Sequence, residues 1–153
     1  NGIDHVEFIL SVNPGQNMKS LIQVASGGEL SRTMLALKTV LQTHDSASVM
    51  IFDEVDTGIS GRVAEMVGQK LRHLGKQQQT LCVTHLPQIA AFSETHYVVK
   101  KQVVMEETYT EVKKMHTPEE KAQEIAQLIG GREITEKTFS VAFEMMEKAQ
   151  NTT

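Results

Sequence analysis

The chain has 153 residues, 40% of them hydrophobic, and a formal net charge of −4, which allows one domain with a sizeable core and gives no sign of disorder. That charge supplies no basic footprint for nucleic acid, so any DNA contact is expected to lie mainly outside this segment. The single cysteine, Cys82, lies in an apolar run, which excludes a disulfide framework and a cysteine metal site and points to a reducing cytoplasm. No apolar stretch approaches the ~18 residues of a membrane span, and Asn1-Gly2-Ile3-Asp4 does not resemble a targeting peptide. The lack of an initiator methionine is what a piece of a longer protein would show, and processing would leave the same mark.

In chain order, Val6 to Val12 is largely apolar, Asn13-Pro14-Gly15 is turn chemistry and Leu21 to Val24 is a second short run, which predicts two strands joined by a turn. After Ser26-Gly27-Gly28, apolar residues at Leu30, Met34, Leu37, Val40 and Leu41 predict an amphipathic helix to about Leu41. Val49-Met50-Ile51-Phe52 reads as a buried parallel strand ending in two acids. A helix follows, with Val63, Met66, Val67, Leu71 and Leu74 on one face and Glu65, Gln69 and Arg72 on the other. Thr80 to Thr84 then reads as a second buried strand, so strand, helix and strand form a parallel crossover whose strands lie side by side or nearly so. Tyr97-Val98-Val99 and Gln102 to Val112 predict strands of a meander. Thr117-Pro118-Glu119-Glu120 opens a helix that stops near Gly130-Gly131, and a last helix runs from about Glu136 to Ala149 with Phe139, Ala142, Phe143 and Met146 as its buried face. No internal repeat or long heptad pattern is present, and the fold class is α/β, a mostly parallel sheet flanked by helices.

The chemistry concentrates in a few places. Asp53 and Glu54 follow the apolar strand directly, where open α/β sheets bind their ligands. An aspartate there can hold Mg2+, and an adjacent glutamate can polarise a water for attack on a phosphoryl group. Alone, such acids are as readily helix caps or solvated loop residues. Ala25-Ser26-Gly27-Gly28-Glu29 places a hydroxyl and two glycines before a helix, a ready anion site, although an isolated Ser-Gly-Gly is more often an ordinary N-cap. Asp56-Thr57-Gly58 follows the acids, and Thr84-His85 ends the second strand, so His85 is expected at the same sheet edge as Asp53 and Glu54. A lone histidine means little. Four such elements converging on one edge are hard to attribute to capping and turns.

Ser26-Gly27-Gly28-Glu29 resembles the signature motif of ABC ATPases, Ile51-Phe52-Asp53-Glu54 their Walker B motif, Asp56 the D-loop and His85 the switch histidine. The stretches ASGGELSRTMLALKTVL, IFDEVDTGISG, VTHLPQIAAFSETHYVVKK and AQLIGGREITEKT are similar to the RecN family of SMC-like proteins of double-strand break repair, over nearly the whole chain. The resemblance implies that residues 1–153 are the C-terminal part of an ABC/SMC-type ATPase head. It also implies that Asp53 supports Mg2+, Glu54 is the general base and His85 contacts the γ-phosphate of ATP. Ser26, Gly27, Gly28 and Glu29 would then meet a nucleotide held by a second head, with Asp56 communicating across that interface. The partners implied are the N-terminal half of the same head, a second head in an ATP-sandwiched homodimer and DNA through the full-length protein, in a bacterial, cytoplasmic, nucleoid-associated setting without a membrane. The phosphate-binding loop is missing from this sequence: Gly15-Gln16-Asn17-Met18-Lys19-Ser20 has a Lys-Ser but neither the spacing nor the second glycine. In SMC-like proteins that loop belongs to the N-terminal half, beyond long coiled-coil arms. Two other readings stay open here, a non-catalytic ABC-like interaction module and a head of another SMC-like chromosome-organising ATPase. Glu54 weighs against the first and the EVDTGISG wording against the second.

Overall fold

The computed structural model describes residues 2–11, 15, 17–21, 26–41, 49–131 and 133–152, with Val104 described by its backbone alone. Two short strands, β1 (Ile9–Leu10) and β2 (Lys19–Ser20), pair antiparallel. The sequence predicts the second strand at Leu21 to Val24, but the described pairing uses Lys19–Ser20 ahead of it, and Ile3, Val6, Phe8 and Ile9 around the first strand are exposed. Val12, Asn13, Pro14, Ile22 and Val24, where the sequence predicts strand and turn, lie outside the described residues.

Helix α1 (Gly27–Val40) starts at a capping box, in which Ser26 Oγ accepts the Glu29 N–H at 3.3 Å and Glu29 Oε2 accepts the Ser26 N–H at 3.2 Å. Its predicted apolar stripe is not its buried face. Gly28 and Leu35 are buried, whereas Leu30, Met34, Leu37 and Leu41 remain exposed among the described residues.

Strand β3 (Val49–Phe52) is followed by α2 (Gly61–Gly75) and β4 (Gln79–Cys82), and β3 and β4 pair in parallel from Val49↔Gln79 to Phe52↔Cys82. The predicted crossover therefore forms. Among the described residues, parallel pairing is confined to these two strands. Met50 and Phe52 point into a core with Leu35, Val55, Leu71, Leu74 and Ile89, while Val49, Ile51, Leu81 and Val83 on the opposite face are exposed. On α2, Ala64, Val67, Leu71 and Leu74 are buried, but Val63 and Met66 are exposed.

A single turn, α3 (Pro87–Ala90), leads to a hairpin of β5 (Tyr97–Val104) and β6 (Glu107–Lys114). Gln102 to Val112 is thus not one strand. The chain reverses at Met105 and Glu106, whose φ values of 51° and 66° match the two left-handed positions of a tight hairpin turn. Helices α4 (Pro118–Gly130) and α5 (Glu136–Asn151) close the chain. Thr117 caps α4 by accepting the Glu120 N–H, and the Glu120 carboxylate reaches one residue further back than a capping box requires, to the His116 N–H at 2.7 Å.

A second core lies between these last helices. Ala122, Ala126, Ala142 and Ala149 let the helices approach closely around Ile125 and Met146, and Phe139 meets Phe143 edge to face with ring centroids 5.1 Å apart. The two cores meet at α3, where Ile89 belongs to the first and Ala90 to the second. Polar ties reinforce the junction. The Lys148 ammonium pairs with Glu65 at 2.7 Å, Arg72 donates to the carbonyl of Ala149, and Lys121 donates to the carbonyls of Ala91 and Ser93.

Phe92 seats its ring on α2 at Gly68, where a Cβ would lie 2.5 Å from the ring carbon Cδ2. Gly68→Ala is expected to lower stability by about 1–3 kcal/mol through overpacking, against the ~1 kcal/mol that alanine would gain over glycine in an open helix. Urea unfolding of the two proteins measures the difference.

Candidate active site

The carboxyl ends of β3 and β4 lie side by side, and the ladder continues one step past them through the Val83 N–H to the Phe52 carbonyl at 3.0 Å. Asp53 therefore leaves the sheet beside the segment that carries Thr84 and His85. The loop after β3 is shaped by its own sequence. Asp53 Oδ1 accepts the Glu54 N–H at 2.8 Å, the Glu54 carbonyl accepts the Thr57 N–H at 3.0 Å, and Val55, fully buried, anchors the loop in the core. Glu54 has a φ of 56°, a left-handed conformation that a glutamate adopts only when its surroundings impose it.

Those surroundings are supplied by α1. Ser31 Oγ donates to the Asp53 carbonyl at 2.7 Å, and Arg32 donates to the carbonyls of Val55 at 3.1 Å and Thr57 at 2.8 Å. Three alternate carbonyls of one loop are thereby held by two consecutive side chains of one helix. Gly28 permits the approach, since a Cβ there would lie 2.9 Å from the carbonyl oxygens of Glu54 and Thr57. Gly27 faces the Glu54 side chain, and its Cβ would fall 1.9 Å from Oε2. The structure thus brings Gly27, Gly28 and Glu54 together within one chain. Ser26 and Glu29 sit at the same helix start and are engaged with each other in the cap.

Asp56 is turned inwards and is 5% exposed. Its Oδ2 accepts two hydrogen bonds, from Thr84 Oγ1 at 2.7 Å and from the His85 N–H at 2.8 Å, and lies 3.0 Å from His85 Nδ1, an ion-pair distance. Burial alone would raise the pKa of this carboxyl, but the Thr84 and His85 hydrogen bonds and the charge of the His85 ring outweigh it and hold the group below its usual value. The role expected of Asp56 across an interface gains no support from this geometry, which gives the carboxylate partners in its own chain. The His85 side chain itself is 74% exposed, so the ring is tethered at one nitrogen and open at the other. Cys82, one strand residue from these groups, is no nucleophile at neutral pH. Burial, then the nearby charges of Asp56 and Asp53, push its thiol up to about 12.

Sequence reasoning did not single out Ser31, Arg32, Val55 or the Thr84 hydroxyl. Thr84 carried a signal, a hydroxyl at a strand end beside a candidate histidine. Ser31 and Arg32 carried none, since polar residues in the second turn of a helix are ordinarily solvated.

With this geometry established, the chain can be compared with known proteins. It is 50% identical over 149 residues to the DNA repair protein RecN of Halalkalibacterium halodurans, a match covering 97% of this chain and 26% of that protein. The DNA repair protein RecN of Bacillus subtilis is 45% identical over 148 residues, with the same coverages, and that of Vibrio cholerae is 45% identical over 145 residues, covering 95% and 26%. This chain belongs to the RecN family. It spans about a quarter of the length of the curated relatives it matches. No family model matches it. Among solved structures it is similar to a chain from a study of ATP-driven dimerization and DNA-stimulated activation of SMC ATPases, with a TM-score of 0.50 and 22% identity over 78% of this chain and 70% of that one. That likeness shows a shared α/β fold. No helix among the described residues is long and apolar enough to cross a membrane.

The two glycines of this RecN-family segment are expected to respond differently to alanine. At Gly28 the obstruction is backbone, so Gly28→Ala pushes α1 off the loop and costs about 1–3 kcal/mol. At Gly27 the obstruction is the end of a flexible side chain, so Gly27→Ala leaves stability within about 1 kcal/mol and displaces the Glu54 carboxylate. Unfolding curves of the two variants check the contrast, and equal losses would contradict it.

Proposed function

We propose that this chain is the C-terminal half of an ATP-hydrolysing head of a RecN-like protein. In the complete protein, ATP-dependent engagement of two such heads holds or tethers DNA during double-strand break repair and recombination. The observation that supports the reading is the side-by-side pairing of the β3 and β4 ends, from which Asp53 and Glu54 follow one strand and Thr84 and His85 the other. In this reading Glu54 is the general base that takes a proton from the attacking water, and His85 turns its untethered nitrogen to the γ-phosphate. Asp53 would hold Mg2+, whose chemistry is to neutralise charge on the phosphate oxygens. The described residues contain no cluster of three ligating side chains, and one oxygen of Asp53 already accepts the Glu54 N–H. A lone carboxylate oxygen fits Mg2+, which is commonly held by one or two carboxylates together with substrate phosphates and water.

Ser26, Gly27, Gly28 and Glu29 would meet the nucleotide of a second head. The capping box is compatible with that role, because it uses the Ser26 oxygen as an acceptor and a serine hydroxyl still has a proton to donate. The N-terminal half of the head would supply the phosphate-binding loop. The exposed apolar face of β3 and β4, with Val49, Ile51, Leu81 and Val83, supports its involvement, since parallel strands are ordinarily covered on both faces. DNA would be a partner of the whole protein, in keeping with the names of the relatives and with the lack of a basic surplus here.

Glu54→Gln in the full-length protein is expected to leave ATP binding intact and to slow turnover by about 10²- to 10⁴-fold. ATP-bound head dimers should then accumulate. Steady-state turnover and ATP affinity of the purified variant test this, and an unchanged rate would remove Glu54 from the role of base.

A further inference from the structure

The geometry points to Asp56 and Thr84 as positioning residues that set the His85 imidazole for its work on the phosphate. The inference rests on the reading of His85 given above. Its observational basis is separate: one oxygen of a carboxylate that is 5% exposed accepts the Thr84 hydroxyl and the His85 N–H and lies 3.0 Å from Nδ1 of that histidine, whose side chain is 74% exposed. An exposed imidazole on a loop would ordinarily sample several rotamers. Here the backbone is held at the amide by Asp56 Oδ2, and the same oxygen sits 3.0 Å from Nδ1 of the ring. Thr84 completes the arrangement, since its hydroxyl donates to the same oxygen and accepts the Leu86 N–H at 3.1 Å, which fixes the turn on which His85 stands.

The placement also decides which ring nitrogen is left for the phosphate. With Nδ1 donating to a carboxylate, the neutral ring leaves Nε2 as an acceptor, and the protonated ring presents Nε2–H as a donor to an anionic oxygen. Asp56 and Thr84 touch no substrate atom in this scheme; they act through His85.

The test is a mutant cycle in the full-length protein with Thr84→Val, Thr84→Ser, Asp56→Asn and His85→Ala, with thermal stability measured for each. Thr84→Val keeps the side-chain shape and removes the hydroxyl. It is expected to lower kcat by about 10- to 100-fold, the scale on which misplacement of a catalytic group acts, with KM for ATP changed less than about 3-fold. Thr84→Ser should restore most of the rate. Asp56→Asn should resemble Thr84→Val where it folds. On the His85→Ala background, Thr84→Val should cost nothing further, because its effect passes through the ring. Full turnover in Thr84→Val, or losses that multiply in the double variant, would overturn the positioning role alone. Full turnover in His85→Ala would overturn the assignment of His85 and this inference with it.

Discussion

The loop that leaves β3 is clamped from two sides, and the arrangement of every candidate group depends on that clamp. From α1, Ser31 and Arg32 hold the carbonyls of Asp53, Val55 and Thr57. From the end of β4, Thr84 and His85 converge on Asp56. Between them Val55 is fully buried. Five residues are thereby fixed, with Asp53, Glu54 and Thr57 exposed and Val55 and Asp56 buried. The left-handed backbone of Glu54 follows from this constraint: neighbours on both sides fix their direction, so Glu54 takes the conformation the loop leaves it.

The clamp also links regions that the chain order keeps apart. The start of α1 precedes the loop by more than twenty residues and Thr84 follows it by nearly thirty, yet all three meet through side chain to backbone bonds and one carboxylate. Charge-assisted bonds to a buried carboxylate are stronger than neutral ones, and a buried carboxylate deprived of them is costly. The sheet edge is consequently a well-defined place to present acids and a histidine, because the groups behind them are already paired.

Much of this was legible in the sequence where the signal is local. Val49–Phe52 forms the predicted parallel strand, though Val49 and Ile51 are exposed rather than buried, and α4 and α5 begin and end close to where Thr117-Pro118, Gly130-Gly131 and Glu136 place them. Caps and turns act over three or four residues and need no knowledge of the rest of the chain. What failed depends on partners. The stripe of Leu30, Met34 and Leu37 shows that α1 is amphipathic, but periodicity does not reveal whether the covering surface belongs to this chain, and here those residues are exposed. The hairpin reversal at Met105 and Glu106 escaped notice because neither residue is one of the usual left-handed formers. In the sequence Asp56 is marked only by its place after the paired acids, and only the fold brings Thr84 and His85 to it. Candidate residues can thus be named from sequence, whereas the bonds that orient them arise from tertiary structure.

The exposed apolar faces and the missing phosphate-binding loop have one explanation in this account: the segment is half of a site that a second half completes. Asp53, Glu54 and His85 can contribute a metal ligand, a base and a phosphate contact, but no lysine and amide cradle for the β- and γ-phosphates is present in the sequence. Calorimetric titration of ATP and Mg2+ into this purified chain, with and without a matching segment that carries the phosphate-binding loop, tests the claim most directly. The account predicts no micromolar binding by the chain alone and binding once the second segment is added; micromolar affinity in the chain alone would contradict it.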